Sequence, residues 1–332
     1  MKNGSLTLED LQIPWAIRPE TLTVITRVLS GALSHDEASA ELGVGAAIGQ
    51  ETVTTSGAVA VIPLRGLITP RGSFLSLLFG GGAGGLQGFR AMLRDAVADD
   101  DIAAVLIDID SPGGRVDLVA ETASEIRALR GKKPIVALSN TMAASAAYWI
   151  AAQADELVVT PSGEVGSIGV FVVHEDWSKF NADFGVQPTY VSAGKYKTEG
   201  NPDEPLSEDA RADLQAMVDD YYAMFVDDVA TGRSVTADAV RGGFGEGRLV
   251  RARNAVTEGM ADRVETFEQT VSRLAAGARE PRQSGGALQL ERAGASAQEP
   301  QSDDDNPEPK AATAEEDEAR IARLDAHHPI LL

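Results

Sequence analysis

Residues 103–110, AAVLIDID, are a nearly unbroken apolar run, followed at once by SPGGRV. A strand that is apolar on both faces must be covered on both faces, which a buried parallel sheet provides and a half-wet antiparallel sheet does not. The neighbouring sequence supplies the cover. Residues 57–66, GAVAVIPLRG, form a second β-rich run, while Leu86, Phe89, Leu93 and Val97 mark one helix face and Val119, Ala123, Ile126 and Leu129 another. PIVALS at 134–139, AASAAYWIAAQA at 143–154, ELVVTP at 156–161 and GSIGVFVV at 166–173 continue as strand, helix, strand and strand. Strands separated by helical segments imply parallel crossovers within one α/β domain. The 33 glycines and an aromatic share of 5% suit a core packed from small residues.

The flanks read differently. In residues 18–42, Leu22, Val24, Ile25, Val28 and Leu29 cluster at helical spacing behind Glu20 or Thr21, as a separate helical arm would. Residues 43–57 read as a linker. Beyond the α/β region, Leu214, Met217, Val218, Tyr221, Met224, Phe225 and Val229 repeat at three and four residues. They imply a long amphipathic helix from Ser207 whose apolar face is covered by its own sheet or by a neighbouring subunit. From Gly277 the chain turns to Pro, Gly, Ser, Gln and acids with few large apolar residues, a composition that cannot offset ordering entropy. The resulting plan is a helical arm and linker at 1–55, an α/β domain at 56–276, and a disordered acidic tail at 277–332, whose IARLDAHHPILL end is a docking peptide or a frayed terminus.

Charge and cysteine content narrow the function. The chain of 332 residues carries 29 Lys and Arg against 50 Asp and Glu, a net charge of −21. That balance repels phosphate backbones and anionic lipid, so neither nucleic acid nor membrane is expected as a partner. With no cysteine, disulfides, thiolate metal sites and a cysteine nucleophile are excluded. No run of about 18 apolar residues occurs, and acids interrupt the first residues, so a non-secreted chain without a membrane span is expected.

Two segments carry the candidate chemistry. In DSPGGRV, at 110–116, a buried strand is expected to end and a helix to begin; Gly113 and Gly114 let backbone N–H groups approach a ligand, and the helix N-terminus adds a favourable dipole. The segment reads as an oxyanion hole or simply as a tight turn. About 30 residues on, Ser145 lies between Ala143, Ala144, Ala146 and Ala147 at the expected start of a helix, open to act as a nucleophile. Close packing alone accounts for such a small-residue helix start equally well. A serine nucleophile needs a base. Of the four histidines only His174 lies in the α/β region, at a place where the chain has left the site. Lysine is scarce, and Lys195 and Lys197 sit together in SAGKYKTEGNP. A lysine serves as base only if an apolar pocket lowers its free pKa of about 10.4 by several units. GEVGSIG at 163–169 and GGGAGG at 80–85 lack the nucleotide-binding patterns, and FLSLLFGGGAGG at 74–85 reads as a mobile lip or a plain loop.

The order VAVIPLRGLI, LIDIDSPGGRV, TMAASAAYWIAAQAD, TPSGEVGSIGV, SAGKYKTEGNPDEPLSEDAR closely resembles the signal peptide peptidase A family of serine-lysine proteases, over about residues 56–265. The resemblance implies a Clp protease/crotonase-like fold with Ser145 as nucleophile and Lys197, rather than Lys195, as general base. It also implies an oxyanion hole from the amides of Gly113 or Gly114 and of Ala146, with Ser167 orienting the lysine and no metal or cofactor. The opening IPWAIRPETLTVITRVLSG is similar to phage head-maturation proteases of the minor capsid protein C type. That branch implies protein substrates (scaffold, portal, major capsid protein and possible self-cleavage), homo-oligomeric assembly and a place in the host cytoplasm inside the assembling prohead. The competing readings are a host-type peptide-degrading relative, a crotonase-type acyl-CoA enzyme, which needs acidic catalysts, and a non-catalytic capsid-binding protein.

Overall fold

The computed structural model describes residues 14–29, 32–34, 37–38, 53–72 and 84–277, all within the unit Met1–Arg282. The expected tail from residue 278 onward, most of the 43–57 linker and the lip around residues 73–83 lie outside the described residues. In chain order the elements are β1 (Trp15–Ile17), α1 (Pro19–Leu29), β2 (Thr54–Ser56), β3 (Val59–Ile68), α2 (Gly85–Ala98), β4 (Ala104–Arg115), α3 (Val119–Leu129) and β5 (Ile135–Ala144). There follow α4 (Ala146–Ala151), β6 (Glu156–Val159), β7 (Glu164–Gly166), α5 (Ser178–Asp183), α6 (Glu208–Arg233), α7 (Ala237–Arg241), β8 (Leu249–Arg251), α8 (Ala252–Thr257), β9 (Arg263–Val264) and α9 (Phe267–Gly277).

Among the described residues the strands form one sheet with the path β2-β3-β4-β5-β6-β9, parallel from β3 onward; β1 pairs off this path with β4, and β7 with β5 and β8. This is the α/β architecture of a mostly parallel sheet with crossover helices. The period of two along the central strands explains their apolar continuity. Ala60, Ile62, Val105 and Ile107 point into one core with Leu93, Ile126 and Trp149, whereas Val59, Val61, Leu106 and Leu138 point to the other face, under Val271 and Leu274 of α9. Both faces are dry, so nothing polar is needed on either.

Several expected elements shift. Residues 15–29 are not a free arm: β1 lies antiparallel against residues 113–115, and Leu22, Val24 and Ile25 are buried in a small cluster with Trp15, Ile17 and Leu67. The glycines of DSPGGRV do not open a helix. β4 runs through them to Arg115, because β3 and β1 pair with them from either side, and α3 begins only at Val119, behind Leu118 at φ 67. The strand expected in GSIGVFVV is displaced to Glu164–Gly166, and Phe171 makes only an isolated bridge to Trp15. α6, expected from Ser207, begins one residue later, with Ser207 as its N-cap, its side chain accepting from the Ala210 N–H at 3.2 Å. Among the described residues no helix is long and apolar enough to cross a membrane.

The C-terminal half of α6 is anchored on α4. Trp149 stacks on Phe225 at 4.6 Å, and its Nε1–H donates to Asp228 at 2.8 Å. Gly232 allows the crossing, since a Cβ there would lie 2.3 Å from the Ala152 carbonyl oxygen. Arg130 donates to the carbonyls of Gln153 and Ala154, both at 2.6 Å, and so satisfies the chain leaving α4.

Candidate active site

Ser145 sits at the turn from β5 into α4. Its backbone is at φ 53, ψ −118, a conformation that L-residues rarely adopt. The strain is held from several sides. The Ser145 N–H donates to Gly166 O at 2.7 Å, the Ser145 carbonyl accepts from the Trp149 N–H at 2.9 Å, and every residue of α4 is buried. Backbone strain persists where surrounding structure over-determines it, and such places cluster at functional sites.

The approach to this turn is also shaped. β4 and β5 pair Ile109 with Ser139 but Ser111 with Ala143, so β5 bulges over residues 140–142. The bulge is pinned by polar side chains. Asp108, 2% exposed, accepts from Asn140 Nδ2 at 3.0 Å and pairs with Arg65; Thr160 donates to the Asn140 carbonyl and Thr141 to Asp110. A buried carboxylate needs such partners, and here they fix the chain just ahead of the serine.

Gly113 lies against the nucleophile. At φ +98 it admits no ordinary side chain, and a Cβ there would fall 3.0 Å from Ser145 Cβ and 2.3 Å from Ala16 O. Its N–H donates to Ser111 Oγ at 3.1 Å, and Ser111 in turn donates to Gly66 O at 2.7 Å. Gly114 is packed more tightly still, with the Ile68 carbonyl oxygen 1.9 Å from where a Cβ would stand. Ala146 is the first residue of α4, so its N–H has no acceptor within the helix. Ser167, at φ 55, donates its N–H to Arg248 O at 2.8 Å and follows the Gly166 that binds Ser145.

The fold therefore gathers Ser145, Gly113, Gly114, Ala146 and Ser167, but not the lysine. Ser145 Oγ donates to Gly169 O at 3.4 Å, whereas Lys197 lies exposed in a turn where its N–H donates to Gly194 O at 3.2 Å. Among the described residues no hydrogen bond joins them. Lys195, also exposed, points to Tyr196, with Nζ 2.5 Å from the phenol oxygen. His174 lines a cleft with Tyr196, Glu199, Asp209 and Leu214, and both its nitrogens are buried without a hydrogen-bond partner among the described residues. Sequence reasoning missed the polar pins of the bulge and the strand β1 beside Gly113. Asp108 and Asn140 are single polar residues in or after apolar runs, a weak signal; the brief WAI between two prolines gave even less.

This strained serine, between a glycine-rich strand and a short buried helix, lies in a stretch similar to a known peptidase family. Residues 127–280 match Peptidase family S49, and Gly113 and Gly114 lie just ahead of the matched stretch. Similar proteins include two phage head proteins and a putative signal peptide peptidase. The chain is 33% identical over 248 residues to head-tail preconnector protein GP5 of Enterobacteria phage P21, covering 73% of this chain and 48% of that one. It is 32% identical over 235 residues to capsid assembly protease C of Escherichia phage lambda, covering 70% and 53%. Putative signal peptide peptidase SppA of Enterococcus faecium is 28% identical over 255 residues, covering 76% and 70%. The chain thus spans about half the length of the two phage relatives.

Proposed function

We propose that the chain is a serine endopeptidase that cuts scaffold, portal or major capsid proteins, or itself, inside the assembling prohead of a phage in its host's cytoplasm. The observation that carries this reading is the strained Ser145 backed by Gly113, within a chain similar to two phage head proteins. Ser145 Oγ attacks the peptide carbonyl and Lys197 takes its proton. The oxyanion is held by the Ala146 amide and by one of the glycine amides, Gly113 or Gly114, with Ser167 orienting the lysine. The protonated lysine then delivers its proton to the leaving amine, and water repeats the sequence on the acyl-enzyme.

Lys197 reaches Ser145 from a neighbouring copy. Three observations support this: the lysine is exposed, no hydrogen bond among the described residues ties it to Ser145, and the segment around it exposes Phe180, Phe184, Tyr190, Val191 and Tyr196. Apolar exposure on that scale marks an interaction surface. An interface would take the lysine out of water, as a lysine base requires.

Intact-mass analysis of wild type, Ser145→Ala and Lys197→Ala, each incubated with the scaffold and portal proteins encoded nearby, tests the reading. Wild type should shorten its partners and both variants should leave them whole. Equal behaviour of all three, each folded and assembled, would reject it.

A further inference from the structure

Residues 14–18 lie beside Ser145 in the manner of a bound peptide. On one edge Trp15, Ala16 and Ile17 pair antiparallel with Arg115, Gly114 and Gly113. On the other, Trp15 and Phe171 exchange two backbone hydrogen bonds, of 2.8 and 3.0 Å. A three-residue strand is thus gripped on both sides, between the glycine strand and the chain leaving β7.

The register brings a peptide carbonyl to the candidate oxyanion amides. Arg18 N–H donates to Pro112 O at 3.1 Å and Val116 N–H to Pro14 O at 3.3 Å. Antiparallel ladders alternate, so Ala16 and Gly114 between them form a hydrogen-bonded pair, with the Gly114 amide facing the Ala16 carbonyl. The point where a Gly113 Cβ would stand is close to both Ala16 O and Ser145 Cβ, so carbonyl and nucleophile flank one spot. Ser145 is 1% exposed and Ala16 wholly buried. β1 therefore lies where a substrate carbonyl would approach the serine.

We propose that the groove between residues 113–115 and Phe171 is a binding site for an extended peptide, and that residues 14–18 fill it as an intramolecular stand-in which a substrate must displace. The proposal rests on the reading of Ser145 as nucleophile for its consequence, but not for the groove itself. Extended peptides bind sheet edges through main-chain hydrogen bonds, and these are the bonds β1 makes. Its seat is imperfect: Trp15 Nε1 is buried with no hydrogen-bond partner among the described residues, which weakens its hold. Because the stand-in is part of the same chain, its effective concentration is high, and loosening it should expose the groove.

Two substitutions loosen β1. Ala16→Pro removes the amide that pairs with Gly114, and Ile17→Thr weakens packing on Leu22, Ile25 and Leu67. In a Ser145→Ala background, binding of a fluorescent peptide of sequence PWAIRPET is read by anisotropy, with a thermal melt confirming that each variant is folded. Both loosened chains should bind about tenfold more tightly than the chain with an intact β1, the equivalent of about 1.4 kcal/mol. With Ser145 present, fluorophosphonate labelling should accelerate by about the same factor. Tighter peptide binding without labelling at Ser145 in any chain upholds the groove and rejects the nucleophile. Unchanged peptide binding in a folded loosened variant, or cleavage of the wild-type chain within residues 14–18, overturns the stand-in.

Discussion

Around Ser145 the chain is buried on every side and its backbone is bonded to β7 and α4, while the stretch from Phe180 to Tyr196 leaves Phe184 72% and Val191 96% exposed. One region has its geometry set by the sheet, down to a strained φ that only surrounding bonds can hold. The other has apolar side chains left uncovered among the described residues. Under the proposed mechanism, folding alone would complete the nucleophile, and assembly would complete the base. Substitutions in the two regions should therefore fail differently.

The largest effects fall on activity. Ser145→Ala and Lys197→Ala should each lower peptide cleavage by on the order of 10⁵-fold or more, because members of a catalytic unit fail together. Lys195→Ala, assayed alongside, should stay within about twofold of wild type. Next comes the buried elbow. Gly114→Ala drives a methyl group into the Ile68 carbonyl, and urea unfolding should show a loss of more than about 4 kcal/mol.

Asp228→Ala removes the acceptor of both Trp149 Nε1 and Arg127, 2.8 and 2.7 Å away, and should lower stability by about 2 kcal/mol in the same assay. A smaller, pH-dependent effect belongs to Asp262. Burial alone would raise its pKa, but the Arg233 fork, at 2.6 and 2.8 Å, and the Leu157 N–H hold it below the ordinary carboxylate value. Its contribution is present above the unfolded carboxylate pKa of about 3.9 and is lost as pH falls through the lower folded value. Melting temperatures of wild type and Asp262→Asn should therefore differ at neutral pH and converge in acid; a constant gap would deny the linkage. Smallest in stability, Phe184→Ser and Val191→Ser should shift unfolding by less than about 0.5 kcal/mol while moving sedimentation toward monomer. If both remain assembled, the exposed segment is not the interface.

The same division explains what the sequence made legible. AAVLIDID and PIVALS announced a parallel sheet because both faces of those strands are dry; the alanines around Ser145 announced a helix start with an open serine, whereas Ser145 is 1% exposed because β4, β7 and α4 close around it. The glycines at 113 and 114 pointed to close backbone approach but suggested a helix start. Their tight contacts are long-range, with Ile68 and Ala16, and local pattern cannot report a neighbour 45 or more residues away. β1 was hidden for a related reason: three residues carry too little periodicity to stand out. The surroundings of Lys197 were not legible, because it lies exposed, away from the apolar pattern that marks the core.

Co-expression of Ser145→Ala with Lys197→Ala tests most directly whether serine and lysine meet between copies. Each variant alone is inactive, but in randomly mixed assemblies about a quarter of the interfaces would pair an intact serine with an intact lysine. Recovery of about a quarter of wild-type cleavage is the expected result. Mixed assemblies that form and stay inactive would contradict a dyad shared between neighbouring copies.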